Sequence, residues 1–222
     1  PARMRAASSS RHASTAAAAY TVLATYMGGM ALGAWLGGRL AALGRRPLLL
    51  YAACEGAIGV YCLATPLIFD GIRAAYVSLA SGIAPDAPVL TVLRVALGAG
   101  ALAIPTVLMG MTLPTLARYF ENAAQTMGRS VATLYSANTL GAALGALLAG
   151  YVVLPALGMS RSIMVTALCS VLVGLYAVKL HRRTAPEVPV MAPTSDTGAG
   201  GLAAAPHRGV LALALLLLFA TG

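Results

Sequence analysis

Long apolar runs joined by short basic links dominate this chain and leave few ways to fold it. About 20 consecutive apolar residues cross the hydrocarbon of a bilayer as an α-helix. In lipid every backbone polar group must be satisfied within the protein, which favours helices over irregular chain. Five runs reach that length, at 13–40, 48–69, 89–119, 130–154 and 160–180, and a sixth opens at 209 and continues to the last residue. Only 9% of the residues are charged and 59% are hydrophobic, whereas a soluble domain carries about a quarter charged residues. That balance excludes an ordinary soluble enzyme, a disordered chain and a nucleic-acid module. The net charge of +9 is spread between the apolar runs, where it encodes topology. The expected fold is all-α, a polytopic membrane helical bundle.

The organisation follows from composition. Residues 1–183 form a first bundle of five spans. Residues 184–206, rich in Pro, Ala and Gly and without periodicity, read as a flexible linker. Residues 207–222 begin a further transmembrane helix that is cut short, so the chain is expected to be a piece of a longer protein. No secretory signal is visible, because the basic, Ser-rich start lacks a short apolar core. Pro105 and Pro114 lie inside the third run and predict a tilt or kinks. The link at 70–88 is mildly amphipathic over 72–79 and leaves room for a short interfacial helix.

Basic residues near span ends set the orientation. Arg39, Arg45, Arg46, Arg118, Arg129, Lys179, Arg182, Arg183 and Arg208 fall on one side, and Arg3, Arg5, Arg11, Arg73 and Arg161 on the other. The first side is the more basic and is expected to face the cytoplasm, with the linker. Fourteen Arg to one Lys, with abundant Ala and Gly, points to a GC-rich bacterial genome and hence to the inner membrane.

Helices in lipid associate through close backbone approach at small residues. Gly29, Gly33 and Gly37 recur every four residues in the first run, and Gly141, Gly145 and Ala149 in the fourth. Each series lays a small-residue stripe along one helix face, the mark of a packed bundle. Charges inside spans are costly and draw attention. Glu55 is expected about 10 Å deep from the basic end at 1.5 Å per residue. Arg94 lies near the other end of its span and has the reach to snorkel outward. The two are expected about 10–15 Å apart in depth across a 30 Å core, too far to pair. For Glu55 a substrate or proton role and a structural hydrogen bond both stand. Tyr135, Asn138 and Thr139 share a face of the fourth run, which either lines a cavity or bonds to a neighbouring helix. Trp35 reads as an interfacial anchor. Glu55, Tyr135, Asn138 and Arg94 are therefore the candidates for a transport path.

No catalytic set is present: there is no HExxH, no paired carboxylates and no Ser/His/Asp arrangement. Gly198-Ala199-Gly200-Gly201 lacks the preceding strand that a phosphate-binding turn requires. Cys54, Cys62 and Cys169 lie in apolar runs without CxxC or nearby His and read as small hydrophobes, so no metal site is expected.

The stretch from Gly37 to Arg46 resembles the loop after the second helix of major facilitator transporters, whose pattern is G-x-x-x-D-R-x-G-R-R/K. Gly37, Gly44, Arg45 and Arg46 match; the Asp and first Arg positions hold Ala41 and Ala42, so the usual Asp-based gating contact is missing. A closer resemblance covers nearly the whole chain. Tyr26-Met27-Gly28-Gly29-Met30-Ala31-Leu32-Gly33, then Leu108-Met109-Gly110-Met111-Thr112-Leu113-Pro114, then Gly128-Arg129-Ser130 with Leu134-Tyr135-Ser136-Ala137-Asn138-Thr139-Leu140-Gly141 and Leu154-Pro155-Ala156-Leu157-Gly158 are similar to ordered motifs of fused major-facilitator/spermidine-synthase proteins. The resemblance implies a major-facilitator-like half plus the start of a second half. It also implies a synthase-like aminopropyltransferase domain beyond residue 222 that uses decarboxylated S-adenosylmethionine. None of that domain's motifs lies on this segment, so catalysis is implied for the parent protein only. The implied partners are the lipid bilayer, the rest of the polypeptide and polyamines. The bundle would anchor the enzyme and could also move polyamines or related small cations. A stand-alone facilitator-type transporter of another small molecule is the alternative.

Overall fold

The computed structural model describes residues 2–44, 46–84, 87–123 and 127–184. The linker beyond Thr184, the last apolar run and Arg45 lie outside the described residues. What is described is all helical, without strands. The helices are α1 (Ala2–Leu43), α2 (Pro47–Ala80), α3 (Pro88–Ala123), α4 (Met127–Leu148) and α5 (Leu154–Thr184), with one π-helical turn, Ala149–Val153, between the last two.

Three helical stretches are long and apolar enough to cross a membrane: Pro47–Ala80, Pro88–Phe120 and Ala132–Arg183. The last is continuous in name only. Gly158 sits at φ 74°, ψ 171°, a conformation open to glycine and closed to other residues. The helix direction changes there, so the 52-residue stretch, about 78 Å if straight, is two arms. This break falls in the link expected between the fourth and fifth runs. The Ser162 hydroxyl donates to the Gly158 carbonyl at 2.7 Å and helps to start the second arm. The first expected span, 13–40, is covered by α1, but α1 is not apolar enough to join the three. Ala, Gly, Ser and Thr dilute its hydropathy.

Two links have clear local causes. Gly82 follows α2 with φ 86° and stops it, as a left-handed residue just past a helix end commonly does. Pro47 and Pro88 each open a helix, where the missing N–H costs nothing. The stretch at 72–79, expected as a separate interfacial helix, is the last two turns of α2. At 34 residues, α2 is about 51 Å long, well beyond a 30 Å hydrocarbon core.

Two seams hold the bundle. In the first, α1 lies against α3 through the predicted glycine stripe. A Cβ added at Gly29 would lie 2.8 Å from Thr106 Cβ, at Gly33 2.9 Å from Gly110 Cα, and at Gly37 2.8 Å from Met111 Cα. Gly110 answers from the other side, 2.9 Å from Met30 Cα by the same construction. In the second seam α2 lies against α5, where Gly59 faces Ala167 and Val171, and Gly174 faces the backbone of Ala52 and Gly56. The stripe on α4 is less used: Gly141 is buried, but Ala149 is exposed.

Between α2 and α3 one polar contact matters. Pro105 has no N–H, so the Ala101 carbonyl loses its helical partner. The Tyr61 hydroxyl of α2 donates to that carbonyl at 2.6 Å. Helix α3 runs through Pro105 and Pro114 without interruption. The apolar core gathers at the end predicted to be basic: Leu48 and Tyr51 from α2, Leu116 and Phe120 from α3, Leu134 from α4, Val173 and Ala177 from α5.

The seams give a matched test. Gly110→Ala places a methyl against the α1 backbone and should lower stability to unfolding in detergent by about 1–3 kcal/mol. Gly38→Ala, with nothing within 4 Å, should be neutral or stabilising by up to about 1 kcal/mol from helix propensity. Equal effects at the two positions would contradict the close α1–α3 packing.

Candidate functional site

Helix α2 places Tyr51, Ala52, Cys54, Glu55 and Gly59 on one buried face. Opposite them α5 presents Ala167, Ser170, Val173, Gly174 and Ala177, all buried. The spacing of three and four residues makes these one stripe of α5. Small residues on both sides let the helices approach, and Glu55 is caught in the seam at 1% exposure. Its Cβ is 3.5 Å from the position a Gly174 side chain would take.

Glu55 is the one buried acidic or basic side chain among the described residues. The buried threonines bond within their own helix. Thr106 donates to Leu102 at 2.8 Å and Thr115 to Met111 at 2.6 Å, both within their own helix. For Glu55 the Tyr51 side chain, one turn earlier, is the polar neighbour. The carboxylate oxygen Oε2 meets no hydrogen-bond donor among the described residues. An acid in a low-dielectric seam with an open oxygen offers a place for a proton or a cation; the buried Cys54 thiol is its sequence neighbour on the same face. No group of three His, Cys, Asp or Glu comes together among the described residues.

The other predicted path residues lie elsewhere. Arg94 is exposed and donates through Nε to the Tyr76 hydroxyl at 2.7 Å, its guanidinium 5.2 Å from the ring centroid. Tyr76 is 21 residues beyond Glu55 on α2, about 32 Å along the axis. The expected depth difference of 10–15 Å was therefore too small, because α2 continues about eleven residues past the predicted end of its span. Arg94 sits at the far end of the bundle and does not share a site with Glu55. Tyr135 is 63% exposed, Asn138 is half-buried, and the Thr139 hydroxyl turns back to the Tyr135 carbonyl at 2.9 Å. That face of α4 thus lies apart from the Glu55 seam.

The facilitator-like loop is a helix end. Gly37 serves the α1–α3 seam, Gly44 donates its N–H to the Leu40 carbonyl at 2.9 Å, and Arg46 precedes α2 as its N-cap. Trp35 is exposed and carries the Arg39 guanidinium 4.9 Å from its ring centroid, a pairing that suits the edge of a membrane. Sequence reasoning singled out Glu55 but missed Ser170, Gly174 and Gly59 around it. Their signal was the small residues at 167, 170, 174 and 177, which recur at helical spacing without forming a GxxxG run. Comparison with protein-family models, with curated proteins and with solved structures finds no match to this chain.

The seam separates a structural carboxylate from a working one. A buried carboxyl without a full set of partners costs stability that an apolar residue of similar volume does not, whereas breaking a buried ion pair costs about 3–5 kcal/mol. Glu55→Leu should therefore leave unfolding stability in detergent unchanged or raised. A clear loss would mean that Glu55 holds the helices together.

Proposed function

We propose that this chain is the membrane portion of a spermidine-synthase-like fusion protein, and that its bundle both anchors the enzyme and moves polyamines or related small cations. In this reading the bundle is a major-facilitator-like half in the inner membrane. The linker at 184–206 is cytoplasmic, and an aminopropyltransferase domain using decarboxylated S-adenosylmethionine follows. The ordered motifs around Gly28-Gly29, Leu108–Pro114 and Leu134–Gly141 support the family. One observation supports the transport role: Glu55, fully buried between α2 and α5, keeps an oxygen that no described donor satisfies.

The chemistry suits a polyamine. A diammonium chain brings a compact, strongly hydrated cation to each end. A carboxylate in a medium of low dielectric attracts such a charge far more strongly than one in water does. Intramembrane acids of this kind commonly belong to ion or substrate pathways. Ala52 and Gly59 on α2 and Ala167 and Gly174 on α5 bring backbone to backbone along the seam where the helices would separate. Tyr51 supplies a hydroxyl at the same level to share the load when a cation arrives.

Glu55→Gln keeps the volume and removes the charge. In cells with a measurable flux of putrescine or spermidine it should cut the flux by at least about tenfold, the loss of about 1.4 kcal/mol of binding. The variant should still insert at the normal level. Gly38→Ala should leave the flux unchanged. An unaltered flux in Glu55→Gln would remove Glu55 from any polyamine route.

A further inference from the structure

A second polar site lies at the opposite end of the bundle from the apolar core. The end of α2 and the start of α3 enclose a cleft of about 280 Å³ lined by Phe69, Ile72, Arg73, Tyr76, Arg94, Leu97 and Gly98. Two arginine residues thus line one small space. Asp70 stands three residues before Arg73 and is not part of the lining, and no acid is. Two like charges sharing a cleft repel each other unless an anion lies between them.

We propose that this cleft binds a phosphate-bearing anion. Arg94 is already oriented for it. The Tyr76 hydroxyl takes the Nε proton and the ring centroid lies 5.2 Å from the guanidinium carbon, which leaves the two terminal amino groups as donors. Arg presents a planar fork that matches phosphate oxygens. Arg73, on the same turns of α2 as Tyr76, supplies the second cation. The depth also fits. Arg73 lies 26 residues after Pro47, about 39 Å along α2, and so roughly 9 Å past a 30 Å hydrocarbon core that begins at Pro47. That is the level of lipid phosphates. The walls formed by Phe69, Ile72 and Leu97 are apolar and accept the glycerol and upper acyl carbons of a phosphodiester lipid. A free phosphate ester would use the same two arginines without those walls. Basic pockets between membrane helices hold anionic head groups by this chemistry. The site is independent of the Glu55 reading, being about 30 Å from it along α2.

The test uses the full-length protein extracted from nanodiscs of phosphatidylcholine with a minor fraction of phosphatidylglycerol. Lipid retained on the protein is counted by mass spectrometry. The expected result is enrichment of phosphatidylglycerol over its share in the disc. Arg73→Gln should reduce that enrichment about tenfold, and Arg73→Gln with Arg94→Gln should abolish it. Arg73 is exposed and takes no part in the Tyr76 contact, so the single variant is informative even where loss of Arg94 disturbs folding. Millimolar inorganic phosphate distinguishes the sources. Enrichment that survives it assigns the site to the lipid, and enrichment that it displaces assigns the site to a soluble phosphate. No preference for phosphatidylglycerol, or a preference that Arg73→Gln leaves intact in a protein of unchanged melting behaviour, overturns the proposal.

Discussion

Helices in lipid gain little by burying apolar side chains, because the acyl chains around them are equally apolar. What remains is how closely two backbones come, and in this bundle glycine decides that twice. Gly29, Gly33 and Gly37 bring α1 onto Thr106, Gly110 and Met111 of α3. Gly59 and Gly174 bring α2 onto α5. Helix α2 is joined to α3 in turn by Tyr61 on the carbonyl that Pro105 leaves open, and by the core around Tyr51, Leu116 and Phe120. The result is a chain of pairs, α1 to α3 to α2 to α5, with α4 attached mainly to α3.

The same closeness creates the polar site. The polar residues buried with Glu55 along this seam are few: Tyr51 and Cys54 on α2 and Ser170 on α5. Gly174 keeps the opposite wall close: a Cβ there would lie 3.1 Å from the Ala52 carbonyl oxygen and 3.5 Å from Glu55 Cβ. Burial with an unpartnered oxygen sets Glu55 apart from Thr106 and Thr115, whose hydroxyls return to their own helices.

Much of the first seam was legible in the sequence, because the four-residue glycine spacing in α1 marks a face without knowledge of its partner. The partner face was not, since Thr106, Val107, Gly110 and Met111 have no common chemistry beyond fitting glycine. The α2–α5 seam joins residues over a hundred positions apart, and no local pattern pairs Glu55 with Gly174. Glu55 itself stood out as a charge inside an apolar run. Arg94 stood out for the same reason, but its surroundings depend on where α2 ends, and the apolar run fades at 69 while the helix continues to Ala80. The Arg73–Arg94 cleft was hidden by that difference. Tyr135 and Asn138 lie one and four residues after Leu134, which is the α4 residue that packs into the core beside the α2–α5 seam, whereas Tyr135 itself is exposed.

The central claim is that the Glu55 carboxyl is an open acid that a polyamine reaches. An apolar carbodiimide, which partitions into membranes and modifies carboxyl groups, tests it directly on the full-length protein in its native membrane. Mass spectrometry should locate an adduct on Glu55, absent from Glu55→Gln, and spermidine should slow its formation while a neutral analogue of equal length does not. Formation of the adduct at the same rate with and without spermidine, or no adduct at Glu55, would contradict the claim.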